Sequence, residues 1–129
     1  VTVAGSALAL IRQVAAEAAP HEACGLLLGE GTAVRTATIA RNVDPAPHNR
    51  FEIDPAALIA AHRAARQGGP QVLGYWHSHP TGRPEPSATD RAAASGDGRI
   101  WAIATADEVR MWRDGLDGFA PLPYAVVEG

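Results

Sequence analysis

The segment from Asp54 to His79 constrains the fold more than any other part of the chain, because it carries both ends of a helix and the strand that follows it. Asp54 is a capping residue, Pro55 suits the first helical position, the body through Gln67 is rich in alanine, and Gly68-Gly69 supplies the stop. Residues 71–79 then hold Val72, Leu73, Tyr75 and Trp76, a strand-like composition, and run into a Pro- and Gly-rich loop at residues 80–86. Such a pair calls for a sheet with a helix packed on it.

The flanking sequence extends the pattern. Ser6 stands where it would cap a helix over residues 7–18, whose Leu8, Ile11, Val14, Ala15 and Ala18 share one face, and Pro20 follows its end. The apolar run 24–28, bounded by Gly29, reads as a buried strand, with residues 32–43 as its more exposed, β-branched hairpin partner. Asp44-Pro45-Ala46-Pro47 interrupts the pattern, and Phe51-Glu52-Ile53 resumes it as a short strand. Ser87, with Asp90 three residues on, marks a short helix to about residue 95, closed by Gly96. Residues 100–105, 109–113 and 124–127 are three further strands. The order α-β-β-β-α-β-α-β-β-β predicts a mixed α/β fold with a central sheet flanked by helices.

At 129 residues, 47% of them hydrophobic, the chain suits one compact domain over residues 1–129, without internal repeats. Aromatic residues are only 5%, so the core has to come from Ala, Val, Leu and Ile, with three Trp as the large pieces. No apolar run approaches the roughly 20 residues of a membrane span. A net charge of -3 leaves no cation excess to neutralise phosphates, which argues against nucleic acid and anionic membranes as partners. Cys24 stands alone and cannot form an internal disulfide, and no basic signal-peptide head is visible, so a reducing cytoplasm is the expected location. All eleven basic residues are arginine, so the chain offers no lysine side chain to an isopeptide bond.

With one cysteine, a metal site here has to use His, Asp or Glu. His77 and His79 lie at i and i+2 near the end of the predicted strand and therefore point to one face. Asp90 lies beyond the loop, in the first turn of the next helix, where the loop can turn back and deliver its carboxylate. Two neutral imidazoles and a carboxylate make three protein ligands for a zinc-like ion and leave a fourth position for water, the pattern of a catalytic site. Glu22 is the candidate base, because it immediately precedes the buried strand that begins at Cys24. A His-x-His-Pro with Ser and Asp at two fixed downstream positions arises by chance in on the order of one in 10⁵ chains of this length. His62 falls within a helix and His48 within a Pro-rich turn, and neither they nor His21 are candidates for a catalytic role. Cys24 reads as a small buried hydrophobe, and Trp76 belongs to the opposite, core face of the strand.

Glu22 with Cys24-Gly25-Leu26-Leu27-Leu28-Gly29, then His77-Ser78-His79-Pro80, then Ser87 and Asp90, resembles the JAMM (MPN-plus) motif of the JAB1/MPN/Mov34 metalloprotease superfamily. The resemblance spans over half the chain, and the spacing from the second His to Ser and Asp is met without a gap. It implies a single domain with a mixed, partly barrel-like sheet flanked by helices. By the same resemblance His77, His79 and Asp90 are ligands of one Zn²⁺. Glu22 is the general acid/base, and Ser87 donates a hydrogen bond to the oxyanion. Ser87 also has a plain reading as a helix cap, and the two are compatible.

Enzymes of this superfamily hydrolyse amide bonds at the C-terminus of ubiquitin or ubiquitin-like proteins, and the short prokaryotic members resemble this chain in having little beyond the core. Bacterial relatives are associated with small β-grasp sulfur carriers that end in Gly-Gly. The implied partner is such a carrier, its tail laid as an added strand in a narrow channel walled by residues 49–53 and 81–86. Three other readings use the same fold: a zinc hydrolase of a small amide, a non-catalytic scaffold, and a DNA-associated domain. The intact ligand set argues against the second and the acidic balance against the third. The Cys-rich pattern of a zinc deaminase is absent.

Overall fold

The computed structural model describes residues 1–129. The helix bounded by Asp54 and the Gly pair forms over Pro55–Arg66, and the Asp54 side chain accepts from the backbone N–H of Ala56, as its capping chemistry requires. In chain order the elements are β1 (Thr2–Ala4), α1 (Gly5–Ala18), β2 (Cys24–Glu30), β3 (Ala33–Ala37), α2 (Pro55–Arg66), β4 (Gln71–Ser78), α3 (Ala88–Ala93), β5 (Ile100–Ala104), β6 (Val109–Gly115), β7 (Gly118–Pro121) and β8 (Ala125–Val127). All eight strands join one sheet in the order β7-β6-β5-β4-β2-β3-β1-β8. The pairs β4–β5, β1–β3 and β1–β8 are parallel and the others antiparallel.

This order forces curvature. β7 and β8 occupy opposite edges, yet residues 122–124 alone join them. Four Cα steps span at most about 14 Å, so the edges have to approach each other, and the sheet curls into a half-barrel. α1 touches β1, β3, β4 and β5 and so lies in the hollow of the curled sheet. Val3, Ala7, Ile11, Leu27, Val34, Trp76, Ala102 and Met111 fill the space between them. The other face carries a smaller cluster of Cys24, Leu26 and Ile53, with Phe51, Leu58, Ala61 and Tyr75 half-buried around it. α2 covers that face and buries none of its own residues fully. No helix is long and apolar enough to cross a membrane.

Several boundaries differ from the sequence reading. Ser6 caps nothing: β1 passes directly into α1 at Gly5, Ala4 stands at the cap position without a side-chain bond, and the Ser6 N–H is met by the Gly129 carbonyl. The strand expected over residues 32–43 stops at Ala37, and its continuation is two isolated bridges, Ala40 to Cys24 and Asn42 to Ile53. Phe51-Glu52-Ile53 forms one bridge, from Ile53 to Asn42, rather than a ladder strand. α3 ends at Ala93, because the buried Asp114 carboxylate accepts from the N–H groups of Ser95 and Gly96 and pulls the chain into a turn.

Gly25 shows how tightly β2 is seated. The Trp76 indole N–H donates to the Thr38 carbonyl at 2.8 Å, across the point where a Cβ on Gly25 would overlap both groups. Gly25→Ala has to break that bond or part the strands, and a loss of about 3 kcal/mol is expected. Urea unfolding checks it: the midpoint should fall at unchanged slope, and an unmoved midpoint would contradict the packing described.

Candidate metal centre and active site

The alternation of β4 builds the site. Trp76 and Ser78 face the α1 core, while His77 and His79 face the other way. Ser78 is more than a spacer: its hydroxyl accepts from the Ala23 N–H at 2.8 Å and its own N–H donates to the Ala23 carbonyl at 3.0 Å. The residue between the two imidazoles thus grips the backbone next to Glu22. The His79 N–H continues the pairing with β5 by donating to the Ala104 carbonyl at 2.8 Å.

Asp90 arrives from the first turn of α3. Ser87 and Asp90 form a reciprocal capping box, the Asp90 N–H donating to Ser87 Oγ at 3.0 Å and the Ser87 N–H to Asp90 Oδ2 at 2.9 Å. That oxygen lies 3.1 Å from His77 Nε2 and 3.2 Å from His79 Nε2, and the two nitrogens are 3.0 Å apart. His77, His79 and Asp90 are all buried. Glu22, 8% exposed, joins from across the sheet, its carboxylate belonging with the two imidazoles to a set of potential ligand atoms within 4.8 Å of one another. The register explains the approach: Cys24 pairs with His77, so two residues further along Glu22 stands opposite His79.

Glu22 is pinned through its backbone. Its N–H donates to the Pro47 carbonyl at 2.6 Å and its carbonyl accepts from Asn42 Nδ2 at 2.9 Å. Asn42 also donates to the Arg50 carbonyl and accepts on Oδ1 from the N–H groups of Asp44 and Glu52, which uses every hydrogen-bonding position of the amide. Sequence reasoning missed this residue. The signal available was local, an Asn two residues ahead of Asp44-Pro45 at a turn, which is the Asx-turn pattern. The loop held by Asn42 lays Phe51 against His77 and brings His48 and Asn49 to the rim of a cleft that Glu22, His79, Ser87 and Thr81 also line.

The second loop is fixed as firmly. His79 Nδ1 donates to the Arg83 carbonyl at 2.7 Å, which turns Nε2 toward the cluster. The Trp112 indole N–H holds the neighbouring Pro84 carbonyl at 3.0 Å. Pro80 opens this loop, and a Cβ on Gly82 would stand 3.2 Å from the Cβ of His79, so the turn packs directly on the imidazole.

Burial and charge set the protonation of these groups. Burial alone would raise the Asp90 carboxyl, but hydrogen bonds from His77, His79 and the Ser87 N–H hold it well below the usual carboxylate range. Burial pushes His77 down, against the pull of Asp90, and keeps it neutral. His79 is also penalised by burial, yet Asp90, the Arg83 carbonyl and Glu22 outweigh that and raise it. Glu22 is lifted by burial to about 7, with His79 opposing and Asp90 and Asp44 assisting. Burial, reinforced by Glu22, pushes the Cys24 thiol up to about 12, so the lone cysteine is the inert buried hydrophobe its sequence context suggests.

The donor set itself tests whether a metal fits. Three electron-pair donors converge within 3.2 Å of one another. Zinc ligands at about 2.0–2.1 Å in tetrahedral array stand about 3.4 Å apart, close to that spacing. Two nitrogens and one carboxylate oxygen, buried and crowded to this degree, suit a small divalent cation.

The chain is similar to known proteins. The family model for prokaryotic homologs of the JAB domain matches residues 5–115, a span that includes Glu22, His77, His79, Ser87 and Asp90. A desampylase of Haloferax volcanii is 39% identical over 105 residues, covering 79% of this chain and 75% of that protein. A probable TtuB-protein conjugate cleaving protease of Thermus thermophilus is 38% identical over 72 residues, which are 56% of this chain and 48% of that relative. The solution structure of a Desulfitobacterium hafniense protein superposes with a TM-score of 0.85 at 27% identity, covering 99% of this chain and 93% of the other. On the extent of the family match and the agreement of the fold, the chain belongs to the prokaryotic JAB-domain family.

Proposed function

We propose that this protein is a zinc-dependent isopeptidase or peptidase of the JAMM type, acting at the Gly-Gly C-terminus of a ubiquitin-like β-grasp protein. One observation carries the reading: Glu22 and Ser87 line a single cleft beside the cluster of His77, His79 and Asp90. The resemblance to a desampylase and to a conjugate cleaving protease supports protein conjugates as the substrate class.

In this reading His77, His79 and Asp90 would hold Zn²⁺, which when bound would supply Lewis acidity and lower the pKa of water there. Glu22 takes the proton of the attacking water and returns it to the leaving amine, the part of a general acid/base held in the cleft. Ser87 Oγ accepts from the Asp90 N–H, which leaves its own O–H free to donate to the oxygen that gathers negative charge. Of the expected walls at 49–53 and 81–86, Asn49, Thr81 and Gly82 line the cleft that would take the tail, while Ile53 is buried in the core, and glycines suit a close passage.

Intact-mass analysis tests the proposal. The metal-loaded protein should remove a short extension placed after the Gly-Gly of a carrier, or release a carrier from a lysine-linked conjugate, and a chelator should stop both. A metal-loaded sample that cleaves neither sinks the assignment. Full turnover of a carrier whose penultimate Gly is replaced by a bulky residue would reject the narrow channel alone.

A further inference from the structure

His77 and His79 reach the same cluster but are held in different ways. His79 has the hydrogen bond from Nδ1 to a backbone carbonyl that orients a metal-binding imidazole and fixes its tautomer. His77 has none: its Nδ1 is buried and meets no hydrogen-bonding partner. The torsion that turns an imidazole about its Cβ–Cγ bond is broad, so something else has to set the plane of this ring. Away from Nε2, which meets Asp90 and His79, what packs on the ring is carbon. Phe51 stacks on His77 with ring centroids 4.2 Å apart and planes 16° from parallel. Trp101 meets the same imidazole edge-on, at 5.9 Å and 89°, and packs against Phe51 at 75°. The ring lies in a corner whose two walls are at a steep angle to each other.

We propose that Phe51 is a positioning residue for the metal centre: its stack sets the plane of the His77 imidazole and so aims Nε2 at the donor cluster, the task that a hydrogen bond performs for His79. The inference rests on the reading of His77 as a metal ligand. It also gives the loop of residues 42–53 a purpose. Phe51 lies outside every helix and strand, and its two neighbours are held by Asn42, through the Arg50 carbonyl and the Glu52 N–H. The same Asn42 holds the Glu22 carbonyl. One side chain therefore supports both the main chain of the base and the ring that orients a ligand.

The test is metal affinity measured without any substrate, so that a role of Phe51 as a channel wall does not enter. Zn²⁺ binding by competition with a chromophoric chelator, and the visible spectrum of the Co²⁺-loaded protein, are compared in the parent, Phe51→Leu and Phe51→Tyr. Phe51→Leu should bind Zn²⁺ about 10–100-fold more weakly and shift the Co²⁺ bands, while Phe51→Tyr keeps both near the parent. A folded Phe51→Leu protein with the parent's affinity and spectrum overturns the inference, and so does a Phe51→Tyr protein as weak as Phe51→Leu. A second readout needs no variant. In the metal-free parent the His77 ring protons lie over the face of Phe51 and should resonate upfield of those of His79, and the lack of that shift overturns the stack. A parent that binds no metal overturns the metal-centre reading itself, whereas a parent that binds tightly beside an unaffected Phe51→Leu overturns only the role of Phe51.

Discussion

Glu22→Gln is expected to lower turnover by about 10²–10⁴-fold while metal content and melting temperature stay at parent values. Glutamine fills the same space and leaves untouched the two backbone hydrogen bonds that pin this residue, to Pro47 and Asn42. What it removes is the capacity to accept a proton. Burial favours this outcome, since the carboxyl is lifted to about 7 and a neutral amide there avoids the desolvation that the charged form suffers. The assay is the rate of product formation by intact mass at saturating substrate, with metal content measured on the same samples. A Glu22→Gln protein that keeps more than a tenth of the parent rate would remove Glu22 from the chemistry. One that loses its metal would make Glu22 a ligand instead.

The parts of this site that were legible in the sequence are those whose geometry follows from periodicity. Two histidines at i and i+2 in a strand converge whatever lies around them, and Ser87 with Asp90 spells a capping box that turns a carboxylate back across the loop. The helix from Pro55 carries its own start and stop. Glu22 is different, because nothing local links it to His79; the two meet through the antiparallel register of β2 and β4, which pairs Cys24 with His77. Its place just before the buried strand made it a candidate, and the resemblance of the motif gave it a role. Residues 42–53 read as the end of one strand, a Pro-rich interruption at 44–47 and a short strand at 51–53, because the order of this loop comes from one asparagine bonding backbone groups up to 20 residues away, a pattern with no period. β1 and β7 escaped notice because strands of three and four residues are too short to show alternation. The partly barrel-like sheet came from the resemblance and not from any local pattern; its physical cause is the strand order, which places β7 and β8 at opposite edges with a short link between them.

Stripping divalent metal with a chelator is expected to lower the melting temperature by roughly 10–20 °C, and Zn²⁺ is expected to restore it. The metal-free protein crowds two imidazole nitrogens and a carboxylate oxygen within 3.2 Å, in a place where all three side chains are buried. An ion that binds only the folded chain stabilises it by about 4 kcal/mol at a thousandfold excess over its Kd. Asp90→Asn isolates the effect. The amide oxygen can still accept from the Ser87 N–H and preserve the cap of α3, but the ligand charge is gone. That protein should therefore melt near the chelated parent and ignore added Zn²⁺. Parent samples that melt together with and without chelator, each analysed for metal, would show that this cluster is held by hydrogen bonds alone. Weight would then move from the hydrolase to the scaffold reading, because a fold that gains nothing from the ion has no need of three buried residues that present it with ligands.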